Sequence, residues 1–143
     1  MYTFLLQAHS GLRYLVLLGL LIVIVTSLLG WLNRKPYTAT DNRLSLILFI
    51  ATHTQLLVGL ILYFVSPFVK FDSTTMSDKM TRYWTVEHIF GMIVAVVLIT
   101  LARSTSKRMT DDNAKHKRMF IFNFVALVVI AAIILIGDRK LIG

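Results

Sequence analysis

The chain has 143 residues, of which 57% are hydrophobic and only 15% are charged. This composition excludes an ordinary soluble domain and indicates a single membrane domain covering residues 1–143. The absence of cysteine excludes a disulfide framework, a thiolate metal site and a cysteine nucleophile. The net charge is +8. Because the cations lie in short links between apolar segments, where membrane topology places them, nucleic acid is not an expected partner.

Four apolar segments follow one another along the chain, each long enough to cross a hydrocarbon core of about 30 Å. They predict four helices, at about 2–32, 44–66, 84–104 and 117–137. Cations and a proline at 33–36 end the first helix, and Asp41 or Asn42 is the expected N-cap of the second. Ser66-Pro67 ends the second helix, and the charged residues 138–140 end the fourth.

Short links between four spans predict an all-α, up-down-up-down four-helix bundle in the membrane, with the first and third helices on a diagonal. The links after these two helices carry nine cations: Arg34, Lys35, Arg43, Arg103, Lys107, Arg108, Lys115, Lys117 and Arg118. The opposite end carries five: Lys70, Lys79, Arg82, Arg139 and Lys140. This imbalance favours cytoplasmic links and outer termini, which are periplasmic in a multi-pass protein of the bacterial inner membrane.

Polar side chains cluster near one end of the predicted bundle. Glu87 and His88 lie just inside the third helix, where each costs several kcal/mol unless it has a partner. With a rise of about 1.5 Å per residue, His9 and Arg13 on the first helix share their depth, whereas His53 lies roughly 12 Å deeper. Two diagonal histidines at one depth leave room between them for a flat macrocycle. His9 and His88 are therefore candidate axial ligands of a haem iron.

The other polar residues have alternative interpretations. Arg13 and Glu87 form an interhelical ion pair, or Arg13 holds a porphyrin propionate while Glu87 orients a ligand imidazole. His53 hydrogen-bonds across helices, joins a proton path or serves as an alternative ligand. His116, among lysines in a solvated link, is expected to have no role in a site.

Three glycines lie close in sequence to these polar residues. Gly11 and Gly91 follow the two candidate ligands by two and three residues, and Gly59 follows Gln55 by four. A glycine lets a helix backbone approach either a neighbouring helix or a cofactor. Both roles stay open for each of the three positions.

Three short segments resemble those of membrane cytochromes b, and in particular one half of a haem A synthase. They are His9-Ser10-Gly11-Leu12-Arg13, Gln55-Leu56-Leu57-Val58-Gly59 and Glu87-His88-Ile89-Phe90-Gly91. The chain is also similar to small four-span bacterial proteins of the Bacteroidetes type that are described as cytochrome B. It differs from haem A synthase in having one unit instead of two and a serine in place of the arginine after the first histidine. What the resemblance implies is the binding of haem b.

Three functions remain open on these observations. The first is a b-type cytochrome that carries electrons between a quinol or a partner subunit and an acceptor. The second is a non-haem accessory subunit of a larger membrane complex, held together by interhelical polar contacts. The third is a small transporter or proton relay that uses Glu87, His88 and His53. Other membrane subunits are expected partners under the first two, and lipid is expected as well.

Overall fold

The computed structural model describes residues 2–66, 69, 71–72 and 76–142, the last five by their backbone alone. Every secondary-structure element in these residues is helical. In chain order they are α1 (Tyr2–Leu32), α2 (Ala39–Val65), α3 (Lys79–Arg82), a π-helical turn (Tyr83–Glu87), α4 (His88–Ser106) and α5 (Asp112–Ile142). Helices α1, α2 and α5 each form one span, and α3, the π-helical turn and α4 together form the third span.

All four spans are long and apolar enough to cross a membrane, which confirms the predicted all-α bundle of multi-pass type. In the second span, only 22% of the most apolar window is buried inside the protein. Large apolar side chains such as Ile47, Leu57 and Phe64 instead face outward. A helix that is hydrophobic on all sides and buried on only one is suited to a hydrocarbon surround.

Three predicted helix starts were wrong because the first turns are polar: the second, third and fourth spans begin at Ala39, Lys79 and Asp112 rather than at about 44, 84 and 117. Helix α2 begins at Ala39, five residues early, and its N-cap is Thr38 rather than Asp41 or Asn42. The Thr38 N–H donates to the Asp41 carboxylate at 2.9 Å, and the Asp41 N–H donates back to the threonine hydroxyl at 3.3 Å. The fourth helix likewise begins at Asp112 and runs on to Ile142, past the charged residues 138–140 that were expected to end it.

The spans are antiparallel and their order around the bundle follows the chain. Neighbouring pairs are first–second, second–third, third–fourth and first–fourth, so the first and third spans lie on a diagonal. Gly30 near the end of α1 packs on His116 near the start of α5. Gly137 near the end of α5 packs on Tyr83 at the start of the third span. The two ends of the bundle are therefore the link end, formed by residues 33–38 and 107–111, and the terminal end opposite.

The tightly packed core lies in the middle of the bundle and toward the link end. Its buried members come from all four spans: Leu20, Val23, Ile24, Leu48, Ala95, Ile99, Ala102, Met119, Ala126 and Ile130. Alanines at 95, 102 and 126 are 1% exposed or less, so the backbones of the third and fourth spans approach closely there. Toward the terminal end the same bundle encloses a cavity instead of a filled core.

Buried polar side chains connect the spans at the link end, and one of them, His116, was expected to lie in solvent. His116 is only 2% exposed, because α5 begins four residues before it and turns its ring onto Gly30 and the ring of Tyr37. The expectation of a solvated His116 was therefore wrong. Its contacts are packing contacts between helices, and it does not line the cavity. The buried Arg103 guanidinium donates across the bundle to Ser45 Oγ at 2.9 Å and to Asn42, joining the third span to the second.

Candidate functional site

Two histidines from diagonal spans meet in the cavity at the terminal end. The ring centres of His9 on α1 and His88 at the start of α4 lie 6.2 Å apart, with their planes inclined at 70°. The cavity has a volume of about 430 Å³ and reaches down to the mid-bundle side chains of Ala95 and Ile99. Its lining is mostly apolar, and all four spans contribute to it.

The His9 ring sits against the second span at a position that only glycine fills without crowding. A Cβ added at Gly59 would lie 3.1 Å from Cε1 of His9. The Gln55 side-chain amide donates to the backbone carbonyl of His9 at 2.8 Å and so holds the two spans in register. Within the described structure, His9 Nδ1 and Gln55 Oε1 are buried without hydrogen-bond partners. Two unsatisfied polar atoms beside one cavity are unusual in a native interior.

The His88 ring is held much more firmly, by the π-helical turn that precedes it. The His88 N–H bonds to the carbonyl of Tyr83, five residues back, and this pattern defines the turn. The Tyr83 hydroxyl reaches His88 Nδ1 at 3.4 Å. The Trp84 ring also contacts the imidazole, with the ring centres 5.2 Å apart. π-helical turns inside α-helices occur frequently at functional sites.

The second span supports the same turn from the other side of the cavity. The Tyr63 hydroxyl donates to the carbonyl of Thr85 at 2.6 Å, from α2 into the middle of the turn. This bond crosses between two spans, and the tyrosine ring lines the cavity. The wall around His88 is therefore built from both elements.

The structure separates Arg13 and Glu87. Glu87 pairs with Arg82, five residues earlier in the same span, at 2.9 Å. Of the two alternatives for these residues, the Arg13–Glu87 ion pair is wrong, and Tyr83 rather than Glu87 lies at the imidazole of His88. Arg13 lines the cavity, is exposed and donates to the Tyr14 hydroxyl at 3.0 Å. It retains a cation at the cavity wall with no carboxylate partner in the described part of the chain.

His53 does not reach the cavity. Its Nδ1 donates to the carbonyl of Phe49 at 2.8 Å, and its Nε2 lies 3.5 Å from the hydroxyl of Thr100 on the third span. Of the interpretations open for His53, this geometry favours a hydrogen bond between helices. The ring is too deep to share a ligand with His9 and His88.

The three glycines have three different environments. Gly59 makes room for the His9 ring. Gly91 packs directly on Ile133 of α5, where an added Cβ would collide with the isoleucine side chain, so its role is helix packing. Gly11 is exposed, and an added Cβ would meet nothing within 4 Å. Only one of the three therefore belongs to the site.

Sequence reasoning missed Tyr83 as a site residue. Tyr83 and His88 are five positions apart, and in a regular α-helix of 3.6 residues per turn that spacing puts them on different faces. The π-helical turn brings them together. An aromatic hydroxyl shortly before a histidine was the only signal in the sequence.

Within the residues that the structure describes, no group of three or more histidine and carboxylate side chains is arranged to hold a metal ion. The cavity instead offers two imidazoles, one guanidinium and apolar walls. No family model matches the chain, and neither curated proteins nor solved structures give a match. The candidate site must therefore be interpreted from its own geometry.

Proposed function

We propose that this chain is a membrane b-type haem protein that carries electrons, in which His9 and His88 would hold the haem iron. The observation that supports it best is the meeting of two imidazoles, from diagonal spans, in one apolar cavity. A cavity of about 430 Å³ is within the usual range of roughly 300–1,000 Å³ for cofactor sites. Its walls supply the low polarity that a porphyrin ring requires.

The donor set suits a metal that brings most of its own ligands. A protein site for a bare zinc ion uses three or four side chains, whereas this cavity supplies two. Two imidazoles whose ring centres lie 6.2 Å apart in an apolar cavity would together hold an iron to which a macrocycle supplies the other ligands.

Different residues of this chain would provide the iron ligands, the space for a ligand ring and a positive charge. His9 and His88 would hold the iron, Gly59 leaves space for one ring, and Arg13 offers a cation to a propionate at the cavity wall. Bound haem would supply a one-electron iron couple, and ligation by two histidines leaves no open position for oxygen chemistry. These features support electron transfer over catalysis.

The distribution of cations indicates on which side of the membrane the site would lie. The excess of cations in the two links favours cytoplasmic links, so in a bacterial inner membrane the site would lie near the outer, periplasmic face. An electron donor such as a quinol, and an acceptor on another membrane subunit, would complete such a transfer. We propose both as partners.

Titration of hemin into the detergent-purified protein tests the proposal. We expect one hemin per chain and a sharp α-band after reduction by dithionite, with both lost in His9→Ala and in His88→Ala. His53→Ala is the matched control, because this histidine lies in a neighbouring span and outside the cavity, and it should bind hemin as the native chain does. A folded protein that takes up no hemin would refute the haem function and favour the accessory subunit.

A further inference from the structure

The geometry points to Tyr83 as a positioning residue that fixes the tautomer of His88, so that its Nδ1 carries the proton and its Nε2 keeps the lone pair. This inference concerns the hydrogen bond itself, and its meaning for iron ligation rests on the proposed function. The hydrogen bond to Tyr83 distinguishes His88 from His9, because the His9 ring has no comparable partner. Three separate features of the structure lead to it.

The first feature is the direction of the Tyr83 hydroxyl proton. Tyr83 is 3% exposed, and its hydroxyl donates to the backbone carbonyl of Ile133 on the fourth span at 3.0 Å. A tyrosine hydroxyl has one proton, so toward His88 it can act only as an acceptor. The ring nitrogen 3.4 Å away must then be the donor, which places the proton on Nδ1.

The second feature is the π-helical turn, which brings Tyr83 to His88. At about 100° per residue, an α-helix separates positions five apart by roughly 140° around its axis. The wider turn at Tyr83–Glu87 puts these two residues on one face, with their ring centres 5.7 Å apart. A regular helix through this segment would lose the contact.

The third feature is the space provided for the phenol. A Cβ at Gly137 would collide with the hydroxyl end of the Tyr83 ring. Glycine at this position thus lets the hydroxyl reach both the Ile133 carbonyl and His88. The fourth span supplies the acceptor and the space, although it contributes no ligand of its own.

The consequence is an asymmetric pair of imidazoles. A partner that accepts from the second nitrogen of a ligating histidine fixes its ring orientation and raises its basicity, and loss of such a partner typically costs about 10–100-fold in metal affinity. His88 has that partner, whereas Nδ1 of His9 is buried without one. His88 is therefore the anchored imidazole and His9 the more weakly held one.

Nitrogen NMR of the haem-free protein, labelled with ¹⁵N-histidine, tests the inference directly. The His88 signals are identified by their loss in His88→Gln. We expect His88 to be protonated on Nδ1 in the native chain and to become a mixture of tautomers in Tyr83→Phe. Tyr37→Phe is the matched control, because it removes another partly buried tyrosine hydroxyl at the link end and should leave the His88 signals unchanged. Gly137→Ala displaces the phenol without removing it and should act in the same direction as Tyr83→Phe, which keeps the test valid if Tyr83→Phe folds poorly.

Hemin titration of the same variants gives the second measurement. Tyr83→Phe should weaken hemin binding by about 10–100-fold, while Tyr37→Phe should not. A His88 protonated on Nε2 in the native chain, or unchanged by both Tyr83→Phe and Gly137→Ala, would overturn the role of Tyr83. If the tautomer behaves as expected but no chain binds hemin, the haem function fails and the hydrogen-bond assignment survives.

Discussion

Replacing Gly59 by larger residues tests whether the position of the His9 ring determines ligand binding. A Cβ at this position would lie 3.1 Å from Cε1 of His9, whereas ordinary van der Waals contact begins at 3.4 Å. In Gly59→Ala the ring must therefore retreat by about 0.3 Å, which is inside the roughly 0.5 Å that a preorganised site tolerates. A leucine side chain extends well beyond its Cβ, so in Gly59→Leu the ring must leave its place.

We expect Gly59→Ala to weaken hemin binding by less than about tenfold, and Gly59→Leu by about 10–100-fold or more, because a misplaced ligand is lost to the metal. The assay is a hemin titration followed by the Soret absorbance, together with the reduced spectrum. Gly11→Leu is the matched control, since a Cβ there meets nothing within 4 Å. Native affinity and an unchanged reduced spectrum in Gly59→Leu would show that His9 is not a ligand in this position.

Two further substitutions test the packing that positions the site. Gly91→Ala forces a methyl group into Ile133 and should reduce the free energy of unfolding, measured by denaturation in detergent, by about 1–3 kcal/mol. In a double-mutant cycle, Ile133→Ala should relieve part of this loss. Additive losses would show that the two residues do not compete for space. Arg103→Met leaves Ser45 and Asn42 without their donor and should cost about 1–3 kcal/mol without changing hemin affinity, whereas the exposed Arg108→Met should change neither quantity. Equal stability of the two arginine variants would contradict the stabilising role of the hydrogen bonds from Arg103 to the second span.

Depth along the bundle could be predicted well from the sequence. His9 and His88 were assigned to one layer by counting residues from the ends of the apolar segments, and their rings do meet there. His53 was placed deeper, and it contacts Thr100, twelve residues beyond His88. These predictions succeeded because the rise per residue of a helix is nearly constant, so sequence separation translates directly into distance along the axis.

Direction around each helix axis could not be predicted in the same way. Arg13 and Glu87 share a depth, yet Glu87 pairs with Arg82 within its own span. His116 was assigned to solvent because its neighbours in sequence are charged, but an earlier helix start turns it onto Gly30 and Tyr37. One extra residue within a helix's hydrogen-bond pattern rotates every following side chain by about 100° relative to the preceding ones.

The sequence by itself determined that the chain has four membrane spans, which of its polar residues lie at one depth, and which spans are diagonal. Hydrophobicity and length are local properties, and short links leave little freedom in the order of the spans. Only the tertiary structure decided that Tyr83 faces His88, that Gly59 rather than Gly11 or Gly91 borders the site, and that a cavity remains at the terminal end. Those features depend on a π-helical turn and on contacts between spans far apart in the chain, and neither is encoded in the spacing within one helix.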